Sequence, residues 1–222
     1  MQLTSMQAGS LSADGLTVTA EYGMPDVGAR LTLTYTLHDS GRLDVAMAMD
    51  AGDQATDVGL FRYGLMMQLP HDMDFSRFYG RGPIENYIDR KSSQHLGIYS
   101  LTADEQFHPY VRPQETGLHS DVRWWEQTTP DGNGLRIDAA IPFYAGAMHY
   151  DIDQLDEGED KHQRHAPQLE TSAYTVLYID GEHTGLGGVN SWSMDGYALP
   201  QYRVTCDNKR FGVSFTPIAA SR

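Results

Sequence analysis

Apolar and polar residues alternate with a period of two along most of this chain. The alternation is clearest in residues 16–22, 31–37 and 43–49, where every second position carries a large apolar residue or alanine. Because successive side chains of a strand point to opposite faces, the pattern predicts β-strands with one buried face. Further strand candidates lie at 58–69, 121–128, 135–140, 147–155, 174–180, 201–206 and 211–216.

Short turn sequences separate these segments, and helical periodicity is nearly absent. Asp14-Gly15, Asp180-Gly181 and the D-S-G stretch at 39–41 are residue combinations that favour tight turns. Many short strands joined by such turns favour an all-β fold. We therefore predict a large two-layer antiparallel β-sandwich that forms a single domain over residues 1–222.

The net charge of the chain limits the kinds of molecule that it can bind. The chain has 222 residues with 16 Lys and Arg, 30 Asp and Glu, and a formal net charge of −14. This charge argues against nucleic acid or an anionic membrane as a partner. No apolar run approaches the roughly 20 residues that a membrane-spanning helix needs. The single cysteine, Cys206, excludes an intramolecular disulfide, and we expect it to be a buried strand residue.

Residues 78–90 combine aromatic, glycine and charged residues in the order F-Y-G-R-G-P-I-E-N-Y-I-D-R. The mixture is too polar for a core strand and too aromatic for an ordinary surface loop, so we predict a loop fixed by its own side chains. Cleavage of a glycosidic bond normally needs two carboxyl groups, roughly 5 Å apart in retaining and about 6.5–9.5 Å apart in inverting enzymes. The candidate acids are Glu85, Asp89, Glu115, Asp121 and Glu126.

Arginines stand close in sequence to every one of these acids. Arg81 and Arg90 flank the first two, and Arg112 and Arg123 flank the others. Charged groups within a loop usually form hydrogen-bonded ion pairs that fix its shape. We predict such a structural role here, and a role in binding or catalysis remains the alternative. The predicted structural set is Arg81, Glu85, Asn86, Asp89, Arg90, Arg112 and Glu115.

Tryptophans mark two further segments. Of the adjacent Trp124 and Trp125, one should point inward and one outward on a strand. The outward indole is either a platform for a sugar or a cover over an interdomain contact. In G-L-G-G-V-N-S-W at 185–192, the glycines permit tight, otherwise disfavoured backbone angles and present Asn190 and Trp192 at a loop tip. There the indole of Trp192 would stack on a pyranose or cap the end of the sandwich.

Histidine spacing gives little support for a metal site. His162 and His165 are three residues apart, a spacing that suits a helix better than a chain of strands. We therefore predict no metal and no cofactor bound by this chain.

Taken in order, three segments resemble the terminal domain of the family 2 β-galactosidases. They are G-R-G-P-I-E-N-Y-I-D-R at 80–90, Y-V-R-P-Q-E-T-G at 110–117 followed by D-V-R-W at 121–124, and G-L-G-G-V-N-S-W at 185–192. The resemblance extends over about residues 1–218. It implies the supersandwich fold shared with galactose mutarotases, and a place beside a separate (β/α)₈ barrel that carries the catalytic glutamates.

The resemblance also implies functions for individual residues and partners. Trp192 matches the tryptophan that the terminal domain extends into the active-site mouth to stack on the sugar, and Asn190 stands where some relatives have aspartate. The partners implied are the remaining β-galactosidase domains, including the barrel, and a galactoside such as lactose. The magnesium and sodium of the parent enzyme would be bound by those other domains. Homo-oligomerisation is compatible with this interpretation, as is either a cytoplasmic or a periplasmic location.

The start of the chain differs from the family pattern. Family domains usually open with extra strands and a W-R-A-P-T-D-N-D-like segment, which this sequence lacks. We therefore expect a domain shortened on its N-terminal side, with an open sheet edge or with strand pairing between chains.

Two other functions remain open. One is a free-standing carbohydrate-binding module that uses Trp192 with Trp124 or Trp125. The other is an aldose mutarotase, which would need His119 and Glu115 in one pocket.

Overall fold

The computed structural model describes residues 1–52, 59–156, 164–190, 192–193 and 196–220. Strands dominate these residues, which also contain two single-turn α-helices, α1 (Ala103–Gln106) and α2 (Ile152–Leu155), and short 3₁₀ turns. The strands are β1 (Gln2–Ala8), β2 (Leu16–Met24), β3 (Ala29–Leu37), β4 (Leu43–Asp50), β5 (Gly59–Leu60), β6 (Arg62–Pro70), β7 (Phe75–Gly82), β8 (His95–Thr102), β9 (His119–Thr128), β10 (Gly134–Met148), β11 (Tyr174–His183), β12 (Val204–Thr205) and β13 (Lys209–Ile218). The predicted all-β class is confirmed.

One large antiparallel sheet contains nearly all of these strands. Its main path runs β1-β2-β3-β4-β13-β10-β9-β7-β8, and β11 and β6 branch from β10. The branch arises because β10 is long: its first half pairs with β13, and its second half pairs with β11. Side chains from β6 and β11 enter the same core as those from β3, β4 and β13. The branch thus packs face to face on the main sheet, as a two-layer arrangement requires.

In β3 and β4, the period-two alternation of residue types corresponds to an alternation of more buried and more exposed side chains. Met47 of β4 and Leu33 and Ala20 of its neighbours share one face and are almost completely buried. Met6 of β1 lies in the same row but is 66% exposed. Leu3 is also exposed, although the residues of β3 and β4 in its row are buried. The second layer therefore covers β3 and β4 and does not reach β1.

Both ends of the main sheet path are open among the described residues. β1 forms one end and β8 the other, and each pairs with a single neighbour there. The expected open edge is therefore present. Cys206 is completely buried and free, as expected. Within the described residues, no helix has the length and apolar character needed to cross a membrane.

Several local predictions were wrong or incomplete. Strands β1 and β8 were not predicted, and of the expected strand 201–206 only β12 is a strand, because residues 200–202 form a 3₁₀ turn. The segment 147–155 was expected to be a strand, but β10 ends at Met148 and residues 152–155 form α2, because Asp151 caps the helix by accepting the Gln154 amide. The segment 78–90 was expected to be a loop throughout, but its first part belongs to β7. Polar side chains on the outward face of β7 account for that error.

Candidate functional site

The loop that follows β11 is fixed at its base by backbone hydrogen bonds. The Thr184 amide donates to the Phe61 carbonyl at 2.9 Å, and the Gly185 amide donates to the Tyr202 carbonyl at 2.7 Å. Four residues after the end of β11, the Gly187 amide donates to the Asp89 carboxylate at 2.6 Å. The loop therefore leaves the sheet from a base attached to three separate parts of the chain.

The tip of this loop is organised by Asn190. Its side-chain oxygen accepts the backbone amides of Trp192 and Ser193, each at 3.0 Å, and its amide nitrogen donates to the Ser193 hydroxyl at 2.9 Å. An asparagine that accepts amides two and three residues ahead forms a compact turn. Trp192 is 85% exposed. An indole that capped the sandwich would be buried, so the loop presents this ring to the surroundings.

Glu85 joins the 78–90 segment to the 107–117 segment. Its side chain is only 6% exposed and forms an ion pair with Arg90 at 2.5 Å. One carboxylate oxygen also accepts from the Tyr110 hydroxyl, and the other accepts from the Thr116 hydroxyl at 2.9 Å and the Gly117 amide at 2.6 Å. Gly117 has a φ of 77°, a backbone conformation that favours glycine. The bonds from Tyr110, Thr116 and Gly117 thus join the two segments, and the one from Arg90 fixes the 78–90 segment itself.

Asn86 and Arg81 support the same region from within. The buried Asn86 amide nitrogen donates to the carbonyls of Arg81 and Ile84, and its oxygen accepts the Ser120 amide at 3.0 Å. Arg81 pairs with Asp121 at 2.5 Å. Arg81, Glu85 and Asn86 are thus each engaged by contacts within the chain, and their structural role stays a prediction.

The predicted ion-pair partners of the second set of acids were wrong. Glu115 pairs with Arg62, Asp121 with Arg81 and Lys91, and Glu126 with Arg77 and Arg136. Arg112 is exposed, and no described carboxylate pairs with it. The partners lie on neighbouring strands or loops, because pairing in a sheet brings together residues that are far apart in sequence.

Arg62 is the centre of a buried charged cluster that the sequence did not indicate. Its guanidinium contacts Glu115 at 2.5 Å and lies 3.5 Å from Asp180. His183 completes the cluster: its Nδ1 donates to the Thr184 carbonyl at 2.7 Å, and its Nε2 lies 3.5 Å from Glu115. A cluster of this kind has no local motif, because its members come from β6, β11 and the 107–117 segment.

The pKa values of the two carboxyl groups of the cluster are shifted in opposite directions. Desolvation raises the pKa of Asp180 to about 6, and the Arg62 charge offsets this only in part. Neither oxygen of Asp180 has a hydrogen-bond donor among the described residues. For Glu115, desolvation acts in the same direction, but the hydrogen bond from His183 and the Arg62 charge outweigh it and lower its pKa. Glu115 is thus the anionic partner of Arg62.

His119 is not paired with Glu115 by any described contact. Its ring is 1% exposed, its Nδ1 donates to the Arg81 carbonyl at 3.2 Å, and it packs on Phe78. Its Nε2 has no partner among the described residues. Desolvation lowers the pKa of His119 to about 4. His119 is therefore a neutral core histidine.

The replacement His119→Asn should make the protein less sensitive to acid. The unfolded imidazole takes up its proton near pH 6.5 and the native one only near pH 4, so acidification through this window favours unfolding. The difference corresponds to roughly 3 kcal/mol. We expect the drop in the free energy of unfolding between neutral pH and about pH 4 to be smaller by that amount in the variant. Urea titrations at both pH values measure it, with the exposed His95→Asn as control. Equal drops in variant and wild type would contradict the assignment.

Trp124 and Trp125 point to opposite faces, as predicted. Trp125 is fully buried, stacks on Phe78 at 4.7 Å, and donates its indole N–H to Gln127 at 2.9 Å. Trp124 is half-buried on the outer face. The guanidinium carbons of Arg77 and Arg136 lie 5.3 and 4.8 Å from its ring centroid. The ring of Trp124 is therefore already in contact with two guanidinium groups of the chain itself.

Histidine and acidic side chains do not converge on a metal-like site within the described residues. His165 donates its Nδ1 proton to the Val111 carbonyl at 2.8 Å. His162 lies outside the described residues.

Comparison with known proteins shows to which family the chain is similar. The sequence profile of the family described as "Beta galactosidase small chain" matches residues 1–216. The chain is 33% identical over 192 residues to the β-galactosidase BgaC of Bifidobacterium adolescentis, covering 83% of this chain and 17% of the relative. It is 35% identical over 164 residues to a β-galactosidase of Lactobacillus delbrueckii subsp. bulgaricus, covering 73% and 15%. The chain thus spans less than a fifth of the length of these relatives.

Among solved structures, a GalM/aldose epimerase homologue from C. elegans aligns with a TM-score of 0.47 at 10% identity, covering 97% of this chain and 69% of the other. The match that identifies the family is therefore the one in sequence, and it extends over nearly the entire chain. All three motif segments fall inside the matched residues 1–216. This chain belongs to the β-galactosidase small-chain family.

Proposed function

We propose that this chain is the terminal domain of a β-galactosidase and that it does not itself cleave the glycosidic bond. The candidate acids support this proposal because each is already engaged: Glu85, Glu115, Asp121 and Glu126 in ion pairs, and Asp89 with a backbone amide. A general acid or nucleophile must be free to reach the substrate. The nucleophile and the acid/base residue would then belong to other domains of the enzyme.

The contribution proposed for this domain is a stacking surface for the sugar. The observation that carries the proposal is the 85% exposure of Trp192 on a turn built by Asn190. An indole offers a flat apolar face with little conformational entropy to lose on binding. Such a face complements the apolar side of a pyranose, so Trp192 would hold the galactoside or the acceptor at the active-site mouth. Asn190 would act through the shape of the turn.

Replacing Trp192 in the intact β-galactosidase tests this function. We expect Trp192→Ala to raise KM for a chromogenic galactoside about tenfold, which corresponds to about 1.4 kcal/mol. The value of kcat should change little, because stacking is equally strong in ground and transition states. Transfer of galactose to an acceptor sugar should decrease in parallel. Steady-state kinetics and product analysis measure both effects.

Trp124→Ala is the matched control, because Trp124 is also an outward tryptophan but contacts arginines. Its KM should stay within about twofold of wild type, a difference of about 0.4 kcal/mol. Unchanged KM and acceptor transfer in Trp192→Ala would contradict the stacking function. Saturable galactose binding by this chain alone, lost in Trp192→Ala, would instead favour the free-standing binding module.

A further inference from the structure

Asp89 connects the 78–90 segment to the loop that carries Trp192. Its Oδ2 accepts the Gly187 amide at 2.6 Å, across 98 positions of sequence. Its Oδ1 is buried without a hydrogen-bond partner among the described residues. The carboxylate is therefore directed at the loop base, and its hydrogen bond to the Gly187 amide is charge-assisted, which makes it stronger than one between neutral groups.

The two glycines of the loop base leave room for this carboxylate. A Cβ at Gly185 would lie 2.6 Å from Asp89 Oδ2 and 2.9 Å from the Tyr202 Cβ, and a Cβ at Gly187 would lie 3.1 Å from the same oxygen. Neither glycine has a φ in the left-handed region. The sequence-based explanation of these glycines by unusual backbone angles was therefore wrong for both positions. They permit a close approach between the loop and Asp89.

The position of Asp89 is itself fixed by its neighbours. The Arg90 amide donates to the Tyr87 carbonyl at 2.9 Å, so residues 87–90 form a tight turn with Asp89 inside it. Tyr87 is fully buried in a cluster against which Leu186 of the loop also packs. The Arg90 guanidinium binds Glu85 and lies 4.9 Å from the Tyr87 ring centroid. The carboxylate is thus supported by a braced turn.

We propose that Asp89 is a positioning residue: through Gly187 it sets the place at which the loop presents Trp192 to the sugar. The inference rests on the proposed stacking function of Trp192. It gives the 78–90 segment an indirect part in substrate binding, because Asp89 acts on the loop and does not touch the sugar. Glu85 and Arg90 contribute by holding the turn in which Asp89 lies.

The first experiment measures the loop in this chain without any sugar. Amide hydrogen exchange by NMR should show a protected Gly187 amide in the wild type. In Asp89→Ala, we expect its exchange to accelerate at least about tenfold, because a hydrogen bond to a charged acceptor is lost. Asp89→Asn retains an acceptor oxygen and should restore part of the protection. Gly185→Ala should resemble Asp89→Ala, because its methyl group displaces the carboxylate.

Two controls separate loop positioning from general unfolding. Asp14→Asn, in an exposed turn, should leave the Gly187 amide unchanged. The amides of β11 should keep their protection in all variants. The proposal would be overturned if the Gly187 amide of both Asp89→Ala and Asp89→Asn exchanged at a rate within about twofold of wild type, a difference of about 0.4 kcal/mol.

The second experiment uses the intact β-galactosidase. Asp89→Ala should raise KM by about the same factor as Trp192→Ala with kcat unchanged, and the double variant should be no worse than either single variant. Asp89→Asn should recover part of the loss. If Trp192→Ala changes KM but Asp89→Ala does not, the positioning inference fails and the stacking function stands. If Trp192→Ala has no effect, the stacking function fails, and hydrogen exchange alone decides whether Asp89 positions the loop.

Discussion

Replacing Glu115 by alanine is expected to lower the free energy of unfolding by about 3–5 kcal/mol, the usual cost of removing one partner from a buried ion pair. The side chain of Glu115 is 11% exposed, and that of its partner Arg62 is 18% exposed. Without Glu115, the Asp180 carboxyl group, 3.5 Å away, would be the remaining acidic partner of the guanidinium among the residues that the structure describes. The high pKa of Asp180 makes that group a weaker source of negative charge than Glu115. The cost therefore arises mainly from a buried cation left without adequate compensation.

Urea unfolding followed by circular dichroism measures this effect, provided that the transition is two-state. Glu115→Gln should cost less than Glu115→Ala, because the amide oxygen can still accept from Arg62. Asp50→Ala breaks the exposed ion pair with Arg30 and should cost much less, since water solvates both of its charges. If Glu115→Ala cost no more than Asp50→Ala, the cluster would not stabilise the fold.

Replacing Trp125 by alanine should have an effect of similar size, about 3–5 kcal/mol, which is typical of a large aromatic residue removed from a core. Trp125 is 0% exposed and stacks on Phe78, which is also completely buried. Its indole N–H donates to Gln127 Oε1, an oxygen that also accepts from Ser76. The variant thus leaves a cavity and weakens a buried polar network, and neighbouring strands cannot collapse fully into the space.

Trp124→Ala is the control in the same strand. Trp124 is half-buried on the outer face, so its removal leaves no enclosed cavity, and we expect a loss of about 1 kcal/mol or less, in the range of a partly exposed cation–π contact. The measurement is again urea unfolding of both variants beside the wild type. Similar losses for the two tryptophans would contradict the assignment of opposite faces.

The strands with regular alternation were predictable because the signal is local. The apolar faces on which Ala20, Leu33 and Met47 lie follow from spacing within each strand, and the structure buries all three on one side of the sheet. Strand β7 was missed because arginines on its outward face and glycines at 80 and 82 disguise the period. The end of β10 was misplaced because the apolar residues of 152–155 suit a short helix once Asp151 caps it.

The candidate site was predictable only in part. Trp192 and Asn190 stood out because glycines and polar residues surround them on a loop, and the structure leaves Trp192 exposed. Arg62, Asp180 and His183 gave no local signal. Asp89 was assigned to the structural set, but its partner is a backbone amide of the tryptophan loop and not a neighbouring arginine. Such a partner becomes visible only when the two segments are placed side by side.

Residue order alone predicts the all-β class, many of the strand faces, the family and the loop that presents Trp192. These properties depend on residue order over a few positions or on motifs that stay contiguous. The partners of the polar groups follow from the folded sheet: Arg62 meets Glu115 across 53 positions, Arg81 meets Asp121 across 40, and Asp89 meets the Gly187 amide across 98. These pairs depend on strand register and on the branching of the sheet at β10, and both depend on packing of the whole chain.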